Sequence, residues 1–557
     1  MRNNATDIKH ILANIDLARA NITSSDNVKI VVLISGSEND RRYWEERLKR
    51  TSPHIFAKDG SVRILSLCEK TDKKERAGNF LGTLSAYSRM KKELAASGVD
   101  LKDTVTLIGM IFGRGERMSP FTQIEGGCKP AIASTAANFE IDNTKIPLSE
   151  IEESLMFFSP VAGYLEKRGF RGVLDKWGDE TEIPSIDLGC IPGDENILKT
   201  CDIIKFISVV EITETRAKEK DWVAYNEVGN ILTQVSRSDK KTVISGLKKS
   251  GAGSRAGISL GPVAVSYDVL DIALEVFADE IKKPGVYFDF DPYLLKAFAF
   301  KGDRAKWDAA LMGDKALLSL AGPDGMVPDL FEKVCKVRET FRDKYGRELN
   351  LKTLDLGSDI FWLDMGQHDH LREKYLSLND KSSSGTIARR IENIPDKRDE
   401  NGNIIANSRI ALGISVKDSV IINSNIDGTG TITNSVIKDS TLGDVEITGS
   451  FVVLSHRTGR TVMKKHSGIY RSLGSKLDEL VLEEGMRHGT LLTDDGPVGM
   501  LVSETTDLRD KKNTYDVPIF GNSMSFMEAY DRMENVSFDE LEKRRSEVIN
   551  QIVNGEW

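Results

Sequence analysis

Apolar residues in the N-terminal part of the chain follow two alternating patterns. Residues 6–22 place isoleucine and leucine at helical spacing, which predicts an amphipathic helix. A β-branched run from Val28 to Ile34 and a second apolar run from Val62 to Leu67 are typical of buried parallel strands. Each of these runs is followed by a predicted helix, and another strand is predicted over 104–112. This alternation predicts an α/β domain with a mostly parallel sheet.

The pattern changes near residue 408, where isoleucine or valine recurs every six residues among small polar residues. Such a period, with an aliphatic residue in a fixed slot, predicts a left-handed parallel β-helix whose coils bury these side chains against one another. The pattern ends near Leu454 and supports roughly three coils. The aliphatic slots are Ile414, Val420, Ile426 and Ile432. We expect the β-helix to serve packing or the formation of a homo-oligomer.

The last part of the chain, residues 461–557, shows a third sequence pattern. Leu491 to Val502 predicts a β-hairpin, and Ser537 with Glu540 forms a capping box that predicts a final helix over 538–553. The sequence assigns no function to this C-terminal tail.

Composition narrows the class of protein. A chain of 557 residues is too long for one core, so two or three domains are expected. The net charge of −9 argues against a general nucleic-acid binder, and no apolar run is long enough for a membrane span. Five scattered cysteines form no C-x-x-C pair, and the N-terminus lacks a signal-peptide core. We therefore expect a cytoplasmic protein with reduced thiols and no zinc site.

The stretch most suggestive of chemistry follows the predicted strand over 104–112. It reads Gly113-Arg114-Gly115-Glu116-Arg117-Met118-Ser119-Pro120-Phe121-Thr122, with Lys129-Pro130 after it. Residues 113–130 are called the signature segment below. Glycines let backbone N–H groups approach an anion, and arginine and lysine add positive charge beside it. The spacings of a P-loop and of a Rossmann fingerprint are both absent. The segment therefore predicts a polyphosphate site of another kind.

This segment resembles the signature of the sugar-1-phosphate nucleotidyltransferases, roughly G-x-G-x-R-[LM]-x-P-x-T…K-P. The segment departs from this signature in two places. Phe112 replaces a family glycine, and Glu125-Gly126-Gly127 looks like a small insertion. The resemblance implies a Rossmann-like (GT-A-like) mixed sheet. Since the signature comes late in the chain, and Gly82-Thr83-Leu84-Ser85-Ala86 looks like a later family segment, either the sheet is circularly permuted or residues 1–100 are an unrelated α/β extension.

Two further segments resemble family elements that bind metal. Gly178-Asp179 looks like the strand end that carries the first metal-binding aspartate, and Trp362-Leu363-Asp364-Met365-Gly366 is similar to the segment that carries the second. The resemblance therefore implies Mg²⁺ bound by Asp179 and Asp364, with Gly366 beside the substrate. The family's sugar-phosphate lysine has no clear counterpart, and Arg237 is a candidate substitute.

The resemblance implies a transferase that joins an NTP and a sugar 1-phosphate and releases pyrophosphate. Arg117 and Lys129 would be catalytic, and the nucleotide would be bound by Gly113, Arg114, Gly115 and Glu116. The expected division is a catalytic domain over 1–400, a β-helix over 401–460 and a tail over 461–557. Two alternatives stay open. One is a catalytically degenerate subunit that binds a nucleotide-sugar, and the other is a cytidylyltransferase that acts on a non-sugar phosphate.

Overall fold

The computed structural model describes residues 5–24, 28–69, 77–96, 101–111, 113–134, 139–141, 144–189, 196–252 and 255–557. Phe112 lies outside the described residues. The helices are α1 Ala5–Asn21, α2 Glu38–Ile55, α3 Gly78–Ala96, α4 Phe121–Ile124, α5 Glu150–Lys167, α6 Glu214–Glu219, α7 Lys240–Lys249, α8 Tyr267–Val276, α9 Ala278–Lys282, α10 Leu295–Ala299, α11 Arg304–Gly313, α12 Lys315–Ala321, α13 Leu330–Tyr345, α14 His368–Ser377, α15 Ser383–Glu392, α16 Phe526–Met533 and α17 Phe538–Asn554.

Among the described residues, thirteen strands precede residue 400. They are β1 Ile30–Ser35, β2 Arg63–Cys68, β3 Val105–Ile111, β4 Phe139–Ile141, β5 Thr144–Ile146, β6 Gly172–Trp177, β7 Glu180–Ile183, β8 Ile203–Ser208, β9 Trp222–Tyr225, β10 Ile231–Val235, β11 Ala256–Ser266, β12 Leu351–Asp355 and β13 Phe361–Asp364.

The other strands belong to the C-terminal part of the chain. They are β14 Ile404–Ala406, β15 Arg409–Ile410, β16 Ile414–Lys417, β17 Val420–Ile422, β18 Asn425–Ile426, β19 Gly430–Thr433, β20 Val436–Lys438, β21 Thr441–Leu442, β22 Val445–Thr448, β23 Phe451–Val453, β24 His456–Arg457, β25 Thr461–Met463, β26 Gly468–Tyr470, β27 Leu473–Gly474, β28 Leu480–Leu482, β29 Met486–Thr493 and β30 Gly496–Ser503.

A nine-stranded mixed sheet forms the centre of the N-terminal part. Its main path runs β10-β9-β11-β6-β3-β1-β2, and β8 joins β11 to β12. Strands β1, β2, β3 and β6 pair in parallel, whereas β11 is antiparallel to β6, β8 and β9. Helices α2 and α5 cover one face of this sheet, and α3 and α8 cover the other. The mixed α/β sheet agrees with the predicted class.

The first two strands join the sheet on the side of β3 away from β6. Val32 of β1 pairs with Ile108 of β3, and β2 pairs with the far edge of β1. All six residues of β1 are buried, as their continuous apolar run requires when both faces of a parallel strand are covered. Residues 30–68 therefore contribute strands to the sheet that carries β3.

Strands β14 to β28 form three parallel sheets of five strands each, and β29 and β30 extend one of these sheets to seven strands. Ile421, Ile437, Val452 and Ile469 lie above one another inside the stack, each fully buried. The arrangement is compatible with the predicted β-helix. It is longer than the expected three coils, because pairing continues to β28 and, in one sheet, on to β29. The six-residue pattern fades after Leu454 because the coils lengthen, from 16 residues between the paired Ile421 and Ile437 to 19 between the paired Ile469 and His488.

Serine ladders also hold the stack together. The backbone N–H of Ser440 donates to Oγ of Ser424 at 3.1 Å, and that of Ser455 donates to Oγ of Ser440 at 3.1 Å. Similar bonds link Ser435 to Ser419 at 3.1 Å. Each coil therefore repeats a polar contact as well as an apolar one.

The tail begins as a continuation of this stack. The predicted hairpin is formed by β29 and β30, and β29 pairs in parallel with β26. The predicted final helix is α17, which packs against α2 of the N-terminal part. None of the described helices combines the length and the apolar character that crossing a membrane requires.

Candidate functional site

The signature segment leaves the end of β3 as a tight loop. Gly113 and Gly115 have φ angles of +102° and +59°, which favour glycine because side chains are strained there. A Cβ atom on Gly115 would lie 2.5 Å from Cβ of Lys129. Thr122 fixes the loop by donating its hydroxyl to the Gly115 carbonyl at 3.0 Å. The glycine at 115 thus lets the Lys129 side chain pass directly across the loop.

Lys129 forms an ion pair with Asp179. The lysine side chain is 12% exposed and the aspartate side chain 30% exposed, so the pair is partly accessible to solvent. Burial opposes the charge of Asp179, but the ammonium group of Lys129 outweighs it and lowers the pKa of this carboxyl. Asp179 is therefore ionised at neutral pH.

The position of Asp179 follows from the sheet. It comes after β6, the parallel neighbour of β3, so both chains leave the sheet at the same edge. The N–H of Gly178 donates to the Met110 carbonyl at 2.9 Å, and a Cβ atom on Gly178 would lie 2.6 Å from that oxygen. The Gly-Asp turn therefore packs against the end of β3 because residue 178 has no side chain.

Asp364 reaches the same place from a distant part of the sequence. Its strand β13 pairs with β7, and the Met365 N–H donates to the Asp179 carbonyl at 2.9 Å. The Asp364 side chain is 45% exposed and lies 3.9 Å from Nδ1 of His370. The antiparallel pair thus joins the two predicted metal ligands.

Gly366 leaves space between Asp364 and the arginine of the signature segment. A Cβ atom there would lie 3.1 Å from Oδ1 of Asp364 and 3.5 Å from Nη2 of Arg117. Arg117 is exposed and lines a polar cavity of about 420 Å³ together with α14 and residues 504–509. Five predicted site residues therefore converge, namely Arg117, Lys129, Asp179, Asp364 and Gly366.

These carboxylates suit a divalent cation that also binds phosphate. In the described part of the chain, no group of three or more His, Cys, Asp or Glu side chains is placed to hold a metal by itself. Mg²⁺, however, is commonly bound by one or two carboxylates together with substrate phosphates and water. Asp179, just before β7, and Asp364, at the end of the neighbouring β13, would supply two hard oxygen ligands, so the donor set fits this ion.

Two charged residues at the site were missed by sequence reasoning. Burial, with the neighbouring Glu182 carboxylate, raises the pKa of Glu180 to about 8. Nζ of Lys220 lies 3.3 Å from the centroid of the Trp362 ring, and burial lowers the pKa of this lysine. The only sequence signal was that Glu180 follows a predicted ligand and Trp362 precedes one, and neither fact predicts a contact.

His368 is buried against the signature segment and is hydrogen-bonded to it. Its ring is 3% exposed, and Nε2 donates to the Ser119 carbonyl at 2.8 Å. Burial, helped by the charge of Arg487, lowers the pKa of His368 to about 4. This neutral histidine joins α14 to the signature segment.

Three predicted residues point elsewhere. Arg114 lies over the Tyr530 ring at 5.0 Å, and Glu116 pairs with Lys511 at 2.8 Å, so both side chains face the tail. The backbone N–H of Arg237 donates to Asp221 at 2.8 Å, and its side chain is 62% exposed. The expected binding roles of these three side chains stay predictions.

Arg237 borders a second, larger groove of about 1,200 Å³ between β10, α7 and the helices α10 to α12. Six lysine or arginine residues and two aspartates line it, a positive excess in a protein whose net charge is −9. The adjoining Lys220 and Asp221 connect its rim to Trp362, two residues before Asp364. The groove therefore lies beside the aspartate cluster.

No protein-family model matches this sequence, and no curated protein matches it. One solved structure that resembles the chain is described as the crystal structure of a mannose-1-phosphate geranyltransferase from Thermus thermophilus. The identity is 9%, the match covers 87% of this chain and 99% of that chain, and the TM-score is 0.26. A likeness at this TM-score carries no conclusion about the fold or the chemistry of this chain.

Proposed function

We propose that the protein is a nucleotidyltransferase that joins an NTP to a sugar 1-phosphate and releases pyrophosphate. The observation that carries this proposal is the convergence of Arg117, Lys129, Asp179 and Asp364 at one edge of the sheet. Two cations and two carboxylates around an open glycine loop suit polyphosphate chemistry, which asks a protein chiefly for positioning and charge stabilisation.

The residues of the signature segment would act on the phosphates. The acceptor phosphate oxygen attacks the α-phosphorus, and the bond to pyrophosphate breaks. Two phosphate charges about 4 Å apart repel by about 4 kcal/mol at an effective dielectric of 20. Lys129 would offset this repulsion at the α-phosphate, and Arg117 would neutralise the leaving pyrophosphate, for which the adjoining cavity of about 420 Å³ provides room.

Asp179 and Asp364 would hold Mg²⁺, which supplies charge stabilisation for the phosphate oxygens when it is bound. Lys129 is paired with Asp179 here. Once Asp179 binds the cation, the ammonium group of Lys129 would leave this ion pair and contact a phosphate oxygen. Burial, followed by the carboxylates of Glu182, Asp179 and Asp364, raises the pKa of Glu180, so added positive charge there would favour its ionised form.

We assign the acceptor to the cationic groove beside Arg237. Its positive lining suits a phosphorylated sugar, and it includes Lys296, a residue that is only 7% exposed. Arg237 at its rim donates to Asp221, and the neighbouring Lys220 lies over the ring of Trp362, two residues before Asp364. An acceptor phosphate could therefore extend from the groove towards the α-phosphate.

The position of β1 and β2 supports a permuted nucleotidyltransferase sheet. In a permuted sheet, strands that precede the signature in the chain lie beside it in space, as β1 lies beside β3. The left-handed sense of the β-helix and an oligomer formed through it stay predictions.

The test is a panel of NTPs and sugar 1-phosphates with Mg²⁺, in which pyrophosphate release is measured. We expect turnover with at least one pair and a loss of about 100-fold or more in Arg117→Ala. Arg460→Ala, on the exposed face of the β-helix, is the control. A near-wild-type rate in Arg117→Ala would disprove the role of that residue.

The same panel separates the alternatives. Nucleotide binding without turnover of any pair would favour a catalytically degenerate subunit. Turnover confined to CTP and a choline or polyol phosphate would favour a cytidylyltransferase.

A further inference from the structure

Glu125, inside the signature segment, is a completely buried carboxylate. It follows α4 and precedes Lys129 by four residues, and its carbonyl accepts from the Cys128 N–H at 3.3 Å. Burial opposes its charge, but Arg471 and Arg545 outweigh this effect and lower the pKa of Glu125. A buried ionised carboxylate is tolerated only when such partners are present.

The described side chains that donate to Glu125 come from the C-terminal region. Tyr470 donates its hydroxyl and Arg471 its Nε, from the end of β26. Arg545 of α17 donates at 3.0 Å, across 420 positions of sequence, and also donates to the Ile124 carbonyl at 2.8 Å. One acidic side chain thus contacts both the stack, through β26, and the last helix of the chain, α17.

The two glycines after Glu125 also lie against the C-terminal tail, where their backbone packs closely. A Cβ atom on Gly127 would lie 3.2 Å from the Tyr530 ring and 3.5 Å from Cα of Glu534. Gly126 faces the carbonyl of Val536 at 3.5 Å from its ideal Cβ position. The short Glu-Gly-Gly insertion is therefore one of the places where the tail packs against the signature segment.

These contacts bracket Lys129. Before it, Arg545 holds Ile124 and Glu125, and after it, Tyr470 accepts the Ala133 N–H at 2.8 Å. We propose that Glu125 is a positioning residue through which the C-terminal region holds Lys129 in its active geometry. This inference rests on the proposed function, because Lys129 matters for rate only if it contacts phosphate.

The experiment compares Glu125→Gln, Arg545→Met and the milder Arg545→Lys in the full chain. Amide hydrogen exchange over 125–133 should rise by at least about tenfold in the first two variants. The kcat for the active substrate pair should fall by about 10- to 100-fold, since a displaced catalytic group loses rate steeply. Arg545→Lys should lie between these variants and the native protein, because it keeps the charge and shortens the reach.

Asp202→Asn is the matched control. Asp202 is equally buried and pairs with an arginine, Arg347, but it lies directly before β8, outside the signature segment. It should lower the melting temperature without raising exchange over 125–133 or reducing kcat. Unchanged exchange in Arg545→Met would overturn the inference. So would a control variant that loses as much kcat as Arg545→Met for each degree by which its melting temperature falls. If no substrate pair turns over in the native protein, the proposed function fails while the exchange measurement still decides the positioning.

Discussion

The stack of parallel strands and the candidate site are built in opposite ways. In the stack, each residue meets its equivalent in the next coil, as Ile421 meets Ile437, so a short repeat defines the whole region. At the site, Lys129, Asp179 and Asp364 come from three separate stretches of the chain and meet because strands end at one edge. Local repetition therefore specifies the stack, whereas long-range pairing specifies the chemistry. Four predictions probe this contrast.

The largest expected effect is at the site. Lys129→Met should lower the rate of pyrophosphate release by about 100- to 1,000-fold, because one cation is lost where phosphate charge develops. The measurement is kcat for the active substrate pair, with the unfolding free energy measured in parallel. Lys476→Met, at an exposed corner of the stack, is the control and should retain the native rate. Equal rates in the two variants would contradict the contrast.

A cavity in the stack should act on stability. Ile437→Ala removes a fully buried side chain between two coils and should cost about 2–5 kcal/mol of unfolding free energy. Ile405→Ala, in the first strand of the same sheet, is the matched control because its side chain is 45% exposed. Denaturant unfolding measures both variants. An equal loss at both positions would show that stacking does not determine the stability of this region.

The histidine behind the signature segment should make stability depend on pH. The pKa of His368 is about 4 in the folded protein and about 6.5 when the chain is unfolded, so the unfolded state takes up the proton first as pH falls. Its contribution is complete above pH 6.5 and should fall by about 2 kcal/mol by pH 5.

His368→Gln keeps a donor for Ser119 but cannot titrate. The difference in unfolding free energy between native protein and variant should therefore shrink from pH 7 to pH 5. A constant difference across this range would contradict the assignment.

The smallest effect concerns one hydrogen bond between serines of neighbouring coils. Ser440→Ala leaves the Ser455 N–H without its acceptor and should cost about 1–2 kcal/mol. Ser415→Ala, at an exposed position of the stack, should be nearly neutral. Thermal unfolding distinguishes the two, and equal values would mean that the ladder adds little to the apolar stacking.

The amino-acid sequence determined the local features of this protein. Continuous apolar runs specified the parallel strands β1 and β3, because strands covered on both faces have no polar side. The six-residue period specified a stack of parallel coils, and glycines at 113 and 115 specified a tight loop after β3. These features depend on neighbours in the chain, so periodicity and backbone freedom reveal them.

The tertiary structure decided which distant residues meet. The pairing of β7 with β13 joins Asp179 to Asp364, and the packing of α17 and β26 on Glu125 gives the tail a contact with the signature segment. It also extended the stack beyond Leu454, where the repeat weakens but the preceding coil still offers an edge for pairing. Such contacts form only when the whole chain closes on itself, and no local pattern encodes them.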